Sequence, residues 1–342
     1  MPKTLRVIDF GPVSPLRSQT TYHAIAYGVS AGAPPTLSFA RPTASYVCLG
    51  YHRSLSEVDR DYCRASGLEI LRRMVGGGPV YLDPDQLFFQ ICLPAASVPA
   101  SRSQATRRYL EPAVASFRAL GVPAALDEDL EICVGDQKIC GHGAGQIEDA
   151  VVVCGNLIER FDHRRATRVL ALSDPSQRAQ TLALMRRFVA ATPVDPEDFK
   201  EAMITSYADA LGLSALPGAL NGCEREALVG LDESFASQTW LAGPPRPSPR
   251  EDSRPRPCQV KVRAGVFTFA ASCNGAHVVA GVVKGMIELV ALRDRDLNGS
   301  RTEAERAVTG VALGSVEPAL ARFGEPGRRL AAAFARAQPG RL

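Results

Sequence analysis

Residues 72–83 read Arg-Arg-Met-Val-Gly-Gly-Gly-Pro-Val-Tyr-Leu-Asp, and no other segment narrows the choice of fold so far. Three consecutive glycines let the backbone take positive φ freely, and they let a ligand reach the main chain without meeting a Cβ. Bare N–H groups in such a loop can point together at an anion. Arg72 and Arg73 are permanent cations whose planar forks suit carboxylate or phosphate oxygens. A tight turn seldom needs three glycines in a row. The segment therefore reads as a loop that holds a flat or elongated molecule with an anionic group. The alternative is a surface turn beside two solvated arginines.

A chain of 342 residues has room for two domains, or for one large domain with an appendage. Hydrophobic residues make up 46% and charged residues 22%, as in an ordinary soluble globular protein. The net charge of +3 is too small to argue for nucleic acid, and no basic run dominates one segment. No apolar stretch approaches the roughly 18 residues needed to cross a bilayer. The N-terminus reads as a first strand and lacks a signal peptide's apolar core. Nine cysteines form no Cys-x-x-Cys and have no histidine at zinc spacing. Reduced, buried thiols in a cytoplasmic protein are the simplest expectation.

Short β-like runs alternate with amphipathic helical stretches. Leu5–Phe10 and Ala44–Gly50 read as strands, and Ser56–Ser66 as a helix. Glu69–Arg73 leads as a strand into the glycine loop, and Val80–Leu93 suits a second strand paired with it. Arg107–Leu120 has helical spacing and stops at Gly121-Val-Pro. Leu130–Val134 and Gln137–Cys140 flank Gly135-Asp136, a tight hairpin turn. Ala150–Arg160 is a long β-branched run, and residues 164–240 read as mostly helical. Such intermixing predicts an α+β fold, a mixed β-sheet core with flanking helices, rather than a doubly wound parallel sheet.

The composition changes at residues 243–257, where six prolines and four arginines fall within fifteen positions. Such a stretch favours an extended, semi-rigid linker. It divides a first domain, 1–242, from a small C-terminal α+β accessory domain, 258–342. In the latter, Gln259–Ala271 and His277–Ile287 read as β segments joined at Cys273-Asn-Gly, with a terminal helix around Glu317–Ala337.

A second constellation lies at residues 135–146, Gly-Asp-Gln-Lys-Ile-Cys-Gly-His-Gly-Ala-Gly-Gln. Lys138 sits on a strand, and Gly141, Gly143 and Gly145 follow it. An ammonium is a compact charge that can lie between two sets of oxygens, such as a carboxylate and a phosphate. The alternating glycines would let the next stretch wrap closely around a nucleotide. Alone, the motif does not outweigh an exposed strand-end lysine before a flexible loop. Coupled to the arginine–glycine loop some sixty residues earlier, it reads as functional.

Three pieces carry a resemblance: Arg72–Asp83, Gly135–Gly141 and Gly155–Asp162. An Arg-Arg-x-x-Gly-Gly-Gly-x-Val-x-x-Asp loop, a Gly-x-x-Lys-Ile-x-Gly strand and a β run ending Gly-x-Leu-x-x-x-x-Asp together resemble the lipoate–protein ligase A family, of the biotin/lipoate protein ligase superfamily. The likeness covers most of residues 5–240, and the C-terminal part resembles the family's accessory domain more loosely. It implies ATP- and Mg²⁺-dependent activation of lipoate, or octanoate, to an acyl adenylate. Transfer to one lysine of a lipoyl carrier domain would follow. By position, Arg72, Arg73, Gly76, Gly77, Gly78, Pro79 and Val80 would line the acyl tunnel and contact the nucleotide, with Gly141 nearby. Lys138 would bridge the acyl carboxylate and the α-phosphate, a fixed cation where negative charges are brought together. Gln86 falls where the family often has an asparagine near the nucleotide, and Asp83 is either a structural hydrogen-bonding group or a magnesium ligand. The expected partner is a carrier protein, with no nucleic acid and no membrane, and the expected state is a monomer.

The chain departs from the commoner family pattern at Leu82-Asp83, at His142 and at Cys154-Gly155-Asn156, which suggests a divergent subgroup. His142 is read as a packing or hydrogen-bonding residue before a proton shuttle. Relatives in the superfamily are ATP-independent octanoyl or lipoyl transferases that carry the acyl group on a cysteine thiolate. Cys140 and Cys154 are the candidates for that role, although both fall on apolar β-like runs. A third possibility is a catalytically silent lipoate-binding or carrier-presenting subunit. Against it stands the cost of holding Arg72 and Lys138 in a closed pocket without a ligand. His23, His52, His163 and His277 carry no ligand spacing, and Trp240 reads as a packing anchor.

Overall fold

The computed structural model describes residues 4–99, 101–243 and 258–336. The Pro/Arg-rich linker, beyond Gly243, and Ala337 at the end of the expected terminal helix lie outside the described residues. Two compact units emerge: Met1–Leu170 with Ala190–Pro245, and Ala171–Val189 with Arg246–Leu342. The sequence expectation ran the first domain unbroken to residue 242. Instead, residues 171–189 join the C-terminal unit, for a reason given below.

In chain order the first unit begins with β1 (Thr4–Val13), α1 (Arg17–Ser30), β2 (Thr36–Pro42), β3 (Tyr46–Leu49), α2 (Arg60–Ala65) and β4 (Glu69–Arg72). Next come β5 (Val80–Leu82), β6 (Gln86–Pro94), α3 (Arg102–Ala119), β7 (Ala125–Leu126), β8 (Ile132–Val134) and β9 (Gln137–Lys138). Then follow β10 (His142–Ile147), β11 (Ala150–Ile158) and α4 (His163–Arg168). After α5 (Pro175–Phe188), a part of the second unit, come α6 (Pro196–Leu211), β12 (Ser214–Pro217), α7 (Gly222–Ala236) and α8 (Gln238–Ala242).

Six strands make one mixed sheet in the order β10-β11-β6-β2-β1-β12. Strand β1 lies parallel to β2 and β12, and the other neighbours are antiparallel. Both faces are covered, so alternation sends each strand's side chains into two different cores. Leu87, Phe89 and Ile91 of β6 meet Tyr109 and Phe117 of α3 and Phe199 and Met203 of α6. On the other face Cys92 and Val152 meet Tyr22, Ile25 and Val29 of α1.

The pairing expected between the strand before the glycine loop and Val80–Leu93 does not form. Strand β4 instead lies parallel to β3, β5 pairs with the other edge of β3, and β6 joins the large sheet. Asp83-Pro84-Asp85 splits the run, since proline cannot donate to a ladder. The hairpin at Gly135-Asp136 forms as β8 and β9, with Cys133 opposite Lys138.

The second unit carries β13 (Cys258–Arg263), β14 (Val266–Cys273), β15 (Ala276–Val283) and β16 (Met286–Arg293), an antiparallel meander. Three glycine turns join them, and both central residues of Asn274-Gly275 and Lys284-Gly285 have positive φ. That twist matches the right-handed twist of the flanking strands. Each of the two expected β segments is therefore a hairpin. Helices α9 (Arg301–Val308), α10 (Val316–Leu320) and α11 (Gly324–Arg336) follow. The terminal helix is broken because Gly324 takes a φ of 60°.

Alternation along β14 turns Phe269 and Ala271 toward Leu330 and Phe334 of α11. Val266, from the same strand, packs instead with Leu184 and Phe188 of α5. That apolar face is why residues 171–189 belong here. Asp174 caps α5 through the amides of Ser176 and Gln177, and also meets His277 Nε2 at 2.9 Å and Arg293 Nη1 at 2.9 Å. Ser272 Oγ lies 2.7 Å from His277 Nδ1. The string has the residue types of a hydrolytic triad, but its carboxylate is engaged as a helix cap and on Arg293. It clamps α5 to the sheet.

Candidate active site

Strand β4 delivers Arg72 and Arg73 to the start of the glycine loop. Arg72 is 1% exposed, and its guanidinium donates to the carbonyls of Gly50 (3.0 Å), Tyr51 (2.7 Å), Arg53 (2.8 Å) and Leu241 (3.1 Å). Its own carbonyl accepts Trp240 Nε1 at 2.9 Å, and the Trp240 ring stacks on Phe235. Arg73 donates to the carbonyls of Cys48 (2.8 Å), Gly76 (2.8 Å) and Gly78 (3.0 Å). Both cations thus tie main chain to main chain.

The consequence falls on the loop. Its carbonyls are drawn onto Arg73, while Gly76, Gly77 and Gly78 are exposed. None of their three amides donates to an acceptor among the described residues. Gly77 takes a φ of 102°, and a Cβ there would lie 2.7 Å from Arg73 Nη2. A Cβ on Gly50 would lie 2.1 Å from the Gly77 carbonyl oxygen, so that crossing also requires glycine. Pro79 is half-buried and Val80 is exposed. Val75, just before the loop, lies over Gly143 and Gly145 of β10, where an added Cβ would meet its side chain at 3.8 and 3.3 Å.

A buried polar string joins three further candidates. Asp83 Oδ1 accepts from the Asp85 amide (3.1 Å) and from Gln86 Nε2 (3.3 Å). Gln86 Oε1 accepts from Asn156 Nδ2 (2.8 Å), and Asn156 Oδ1 accepts from the Gly141 amide (2.7 Å). Gln86 is 1% exposed and bonded at both ends. Asn156, one of the departures from the family pattern, is the residue that links β11 to the lysine segment. Burial pushes the Asp83 carboxyl upward, against the pull of Gln86. In this structure the carboxyl serves as a hydrogen-bond acceptor for the Asp85 amide and Gln86. Among the described residues no group of three or more His, Cys, Asp or Glu could hold a metal ion.

Lys138 has a partner of its own. Its ammonium donates to Glu131 Oε1 at 3.0 Å, with the two side chains 18% and 7% exposed. Its hydrogen bond runs to Glu131, not to the glycine bend. Its carbonyl accepts the Ala190 amide at 2.9 Å, which fixes the strand. Sequence reasoning did not single out Glu131, because its partner lies across a hairpin.

The thiols near the site are held protonated. Burial pushes both Cys140 and Cys154 up to about 12, and Cys48 and Cys92 upward as well. The nucleophilic form of a cysteine is the thiolate, so each of these thiols is overwhelmingly neutral near pH 7. His142 lies on β10 opposite Gly155.

A mixed sheet, an exposed glycine loop between two further strands and a largely buried lysine on a short hairpin make the frame on which likeness to known proteins bears. Residues 18–208 match the family of the lipoyl protein ligase A/B catalytic domain, and the chain belongs to that family. The octanoyltransferase LipM of Symbiobacterium thermophilum is 27% identical over 271 residues, 69% of this chain and 97% of that protein. A solved structure of a bi-partite lipoate protein ligase and its E2 lipoyl domain, from Thermoplasma acidophilum, matches with a TM-score of 0.65 at 24% identity. It covers 72% of this chain and 99% of that one. P. falciparum LipL1 in complex with lipoate matches with a TM-score of 0.56 at 12% identity, over 94% of this chain and 93% of that one. These two structural likenesses concern the fold.

Proposed function

We propose that the protein is an ATP-dependent, AMP-forming lipoate–protein ligase whose acceptor is a lysine on a lipoyl carrier domain. The observation that carries the reading is the set of three exposed glycine amides left without acceptors by the hold of Arg73 on the loop carbonyls. Such a loop offers donors to phosphate oxygens, and the fixed guanidinium below it adds positive charge.

In the first half-reaction the acyl carboxylate oxygen attacks the α-phosphorus of ATP, and the bond to the β-phosphate oxygen breaks to release pyrophosphate. Lys138 exchanges Glu131 for the junction where the two anions meet, and stabilises the charge that gathers there. A Mg²⁺ ion brought in with the nucleotide would neutralise phosphate charge, and no residue of this chain is assigned to hold it. In the second half-reaction the carrier amine attacks the acyl carbonyl, and the carbonyl–phosphate bond breaks to release AMP. Gln86 and Asn156 set the Gly141 amide and hold the strand that follows Lys138. Arg72 and Arg73 act as positioning residues for the loop.

Similarity to LipM favours a second reading, octanoyl transfer without ATP. It needs a thiolate at Cys140 or Cys154, which burial opposes. The octanoyltransferase match also uses 97% of that relative yet only 69% of this chain. The two readings separate when the protein is incubated with a lipoyl domain, lipoate and α-labelled ATP. AMP release in step with lipoylation is expected. Acyl transfer from an octanoylated carrier without ATP, with no AMP formed, overturns the ligase.

A further inference from the structure

We propose that Tyr22 is a specificity-determining residue whose hydroxyl reads the far end of the acyl substrate and favours lipoate over octanoate. The inference rests on the acyl reading above and deepens it. Tyr22 lies on α1 and is 2% exposed, and its hydroxyl has no hydrogen-bond partner among the described residues. Leaving a buried hydroxyl unpaired is costly. Other buried tyrosines here avoid that cost: Tyr46 meets Ser18 and Gln19, and Tyr207 donates to the Tyr109 carbonyl.

The location gives the orphan a use. Tyr22 shares one cluster with Val75 at the start of the glycine loop, with Cys92 and with Val152 of β11, and Cys154 packs against that cluster. The ionisable groups around it are Cys154, Cys48, Arg73 and Tyr46. Cys154 precedes Asn156 by two residues on one strand, so both point to the same face of the sheet. Tyr22 therefore packs in the cluster that Val75 ties to the start of the loop, on the sheet face that also carries Asn156. Val75 fills the space left by Gly143 and Gly145 and shares its packing cluster with Tyr22, so it is the side chain that an acyl end reaching Tyr22 would displace.

Lipoate and octanoate share a carboxylate and an aliphatic stem. They differ at the far end, where lipoate carries two ring sulfurs and octanoate a methyl group. A hydroxyl in an apolar wall is the group that can tell them apart. A sulfur is a weak acceptor, but here it competes with no other acceptor.

Calorimetric titration of lipoate and octanoate into native protein and Tyr22→Phe tests this. Removing an unpaired hydroxyl is not expected to destabilise the fold, and thermal unfolding verifies it. The expected result is a Kd for lipoate raised roughly three- to tenfold, with octanoate changed less than twofold, as for one weak hydrogen bond. Thr21→Val removes the neighbouring buried hydroxyl, on a residue that borders a separate groove with Phe10 and Leu228, and should move neither Kd. If Tyr22→Phe leaves both Kd values unchanged or weakens both acids equally, the specificity role fails while the acyl reading stands. If native protein binds neither acid, the acyl reading fails and takes this inference with it.

Discussion

Lys138 has both a structural and a chemical task, and two variants separate them. Lys138→Met removes the Lys138 ammonium from the Glu131 carboxylate, which is 7% exposed. Removing one member of a fully buried pair costs roughly 3–5 kcal/mol. The lysine keeps 18% of its side chain exposed, so solvent screens part of that loss and about 2 kcal/mol is the expected cost. In a unit of this size each kcal/mol lowers Tm by about 2–4 °C, so the variant should melt about 4–8 °C earlier. In Glu131→Gln/Lys138→Met both charges are gone and most of that deficit should return. Transfer should not return, because loss of a preorganised charge-stabilising donor costs about 10²–10³ in rate. Scanning fluorimetry reads the first quantity, and mobility of the lipoylated carrier reads the second. A double variant that recovers both native melting and native transfer would refute the chemical role and leave Lys138 a purely structural cation.

The buried imidazole of His23, held down to about 3 from 6.5, predicts a pH effect of definite sign. Below pH 6.5 the unfolded chain takes up a proton that the native state refuses, so stability falls as pH drops toward 3. Between pH 7 and 5.5 this group alone should remove about 1.2 kcal/mol, and His23→Phe should flatten the fall. Equal changes in urea midpoint for both proteins would count against it. For Arg73→Gln the expected outcome is nucleotide binding weakened at least about tenfold, because the loop loses charge-assisted hydrogen bonds. Arg73→Lys should rescue little, since a point charge cannot span three carbonyls. Full rescue in a fluorescent-ATP titration would show that charge alone matters.

Local chemistry was readable before any coordinates. Three glycines after two arginines, and a lysine beside a Gly-Asp turn, declare themselves within a few residues. The distant partners of Arg72 and Arg73 do not, because they are carbonyls at positions 48–53 and 241. Helix α1 was hidden because its buried residues include Ser18, Gln19, Thr20, Thr21 and His23, which blur any apolar stripe. Strand β2 is short and ends on a proline, Pro42, so the run between Pro35 and Pro42 did not stand out as a strand. Asn156 stood out in the sequence only as a departure from a pattern. Its role depends on Gln86, seventy positions away.

Helix α5 is translated long before the sheet it packs on. Its last residue is 188, and its hydrophobic partners in the sheet, Val262, Val266, Val283 and Leu289, all come later in the chain. At the usual pace of about 5–20 residues per second, Leu184 and Phe188 wait roughly 5–20 s for Val283 to emerge. A nascent chain of this protein therefore carries a sticky helix through mid-synthesis. Any shortened version ending near residue 243 keeps that helix permanently bare.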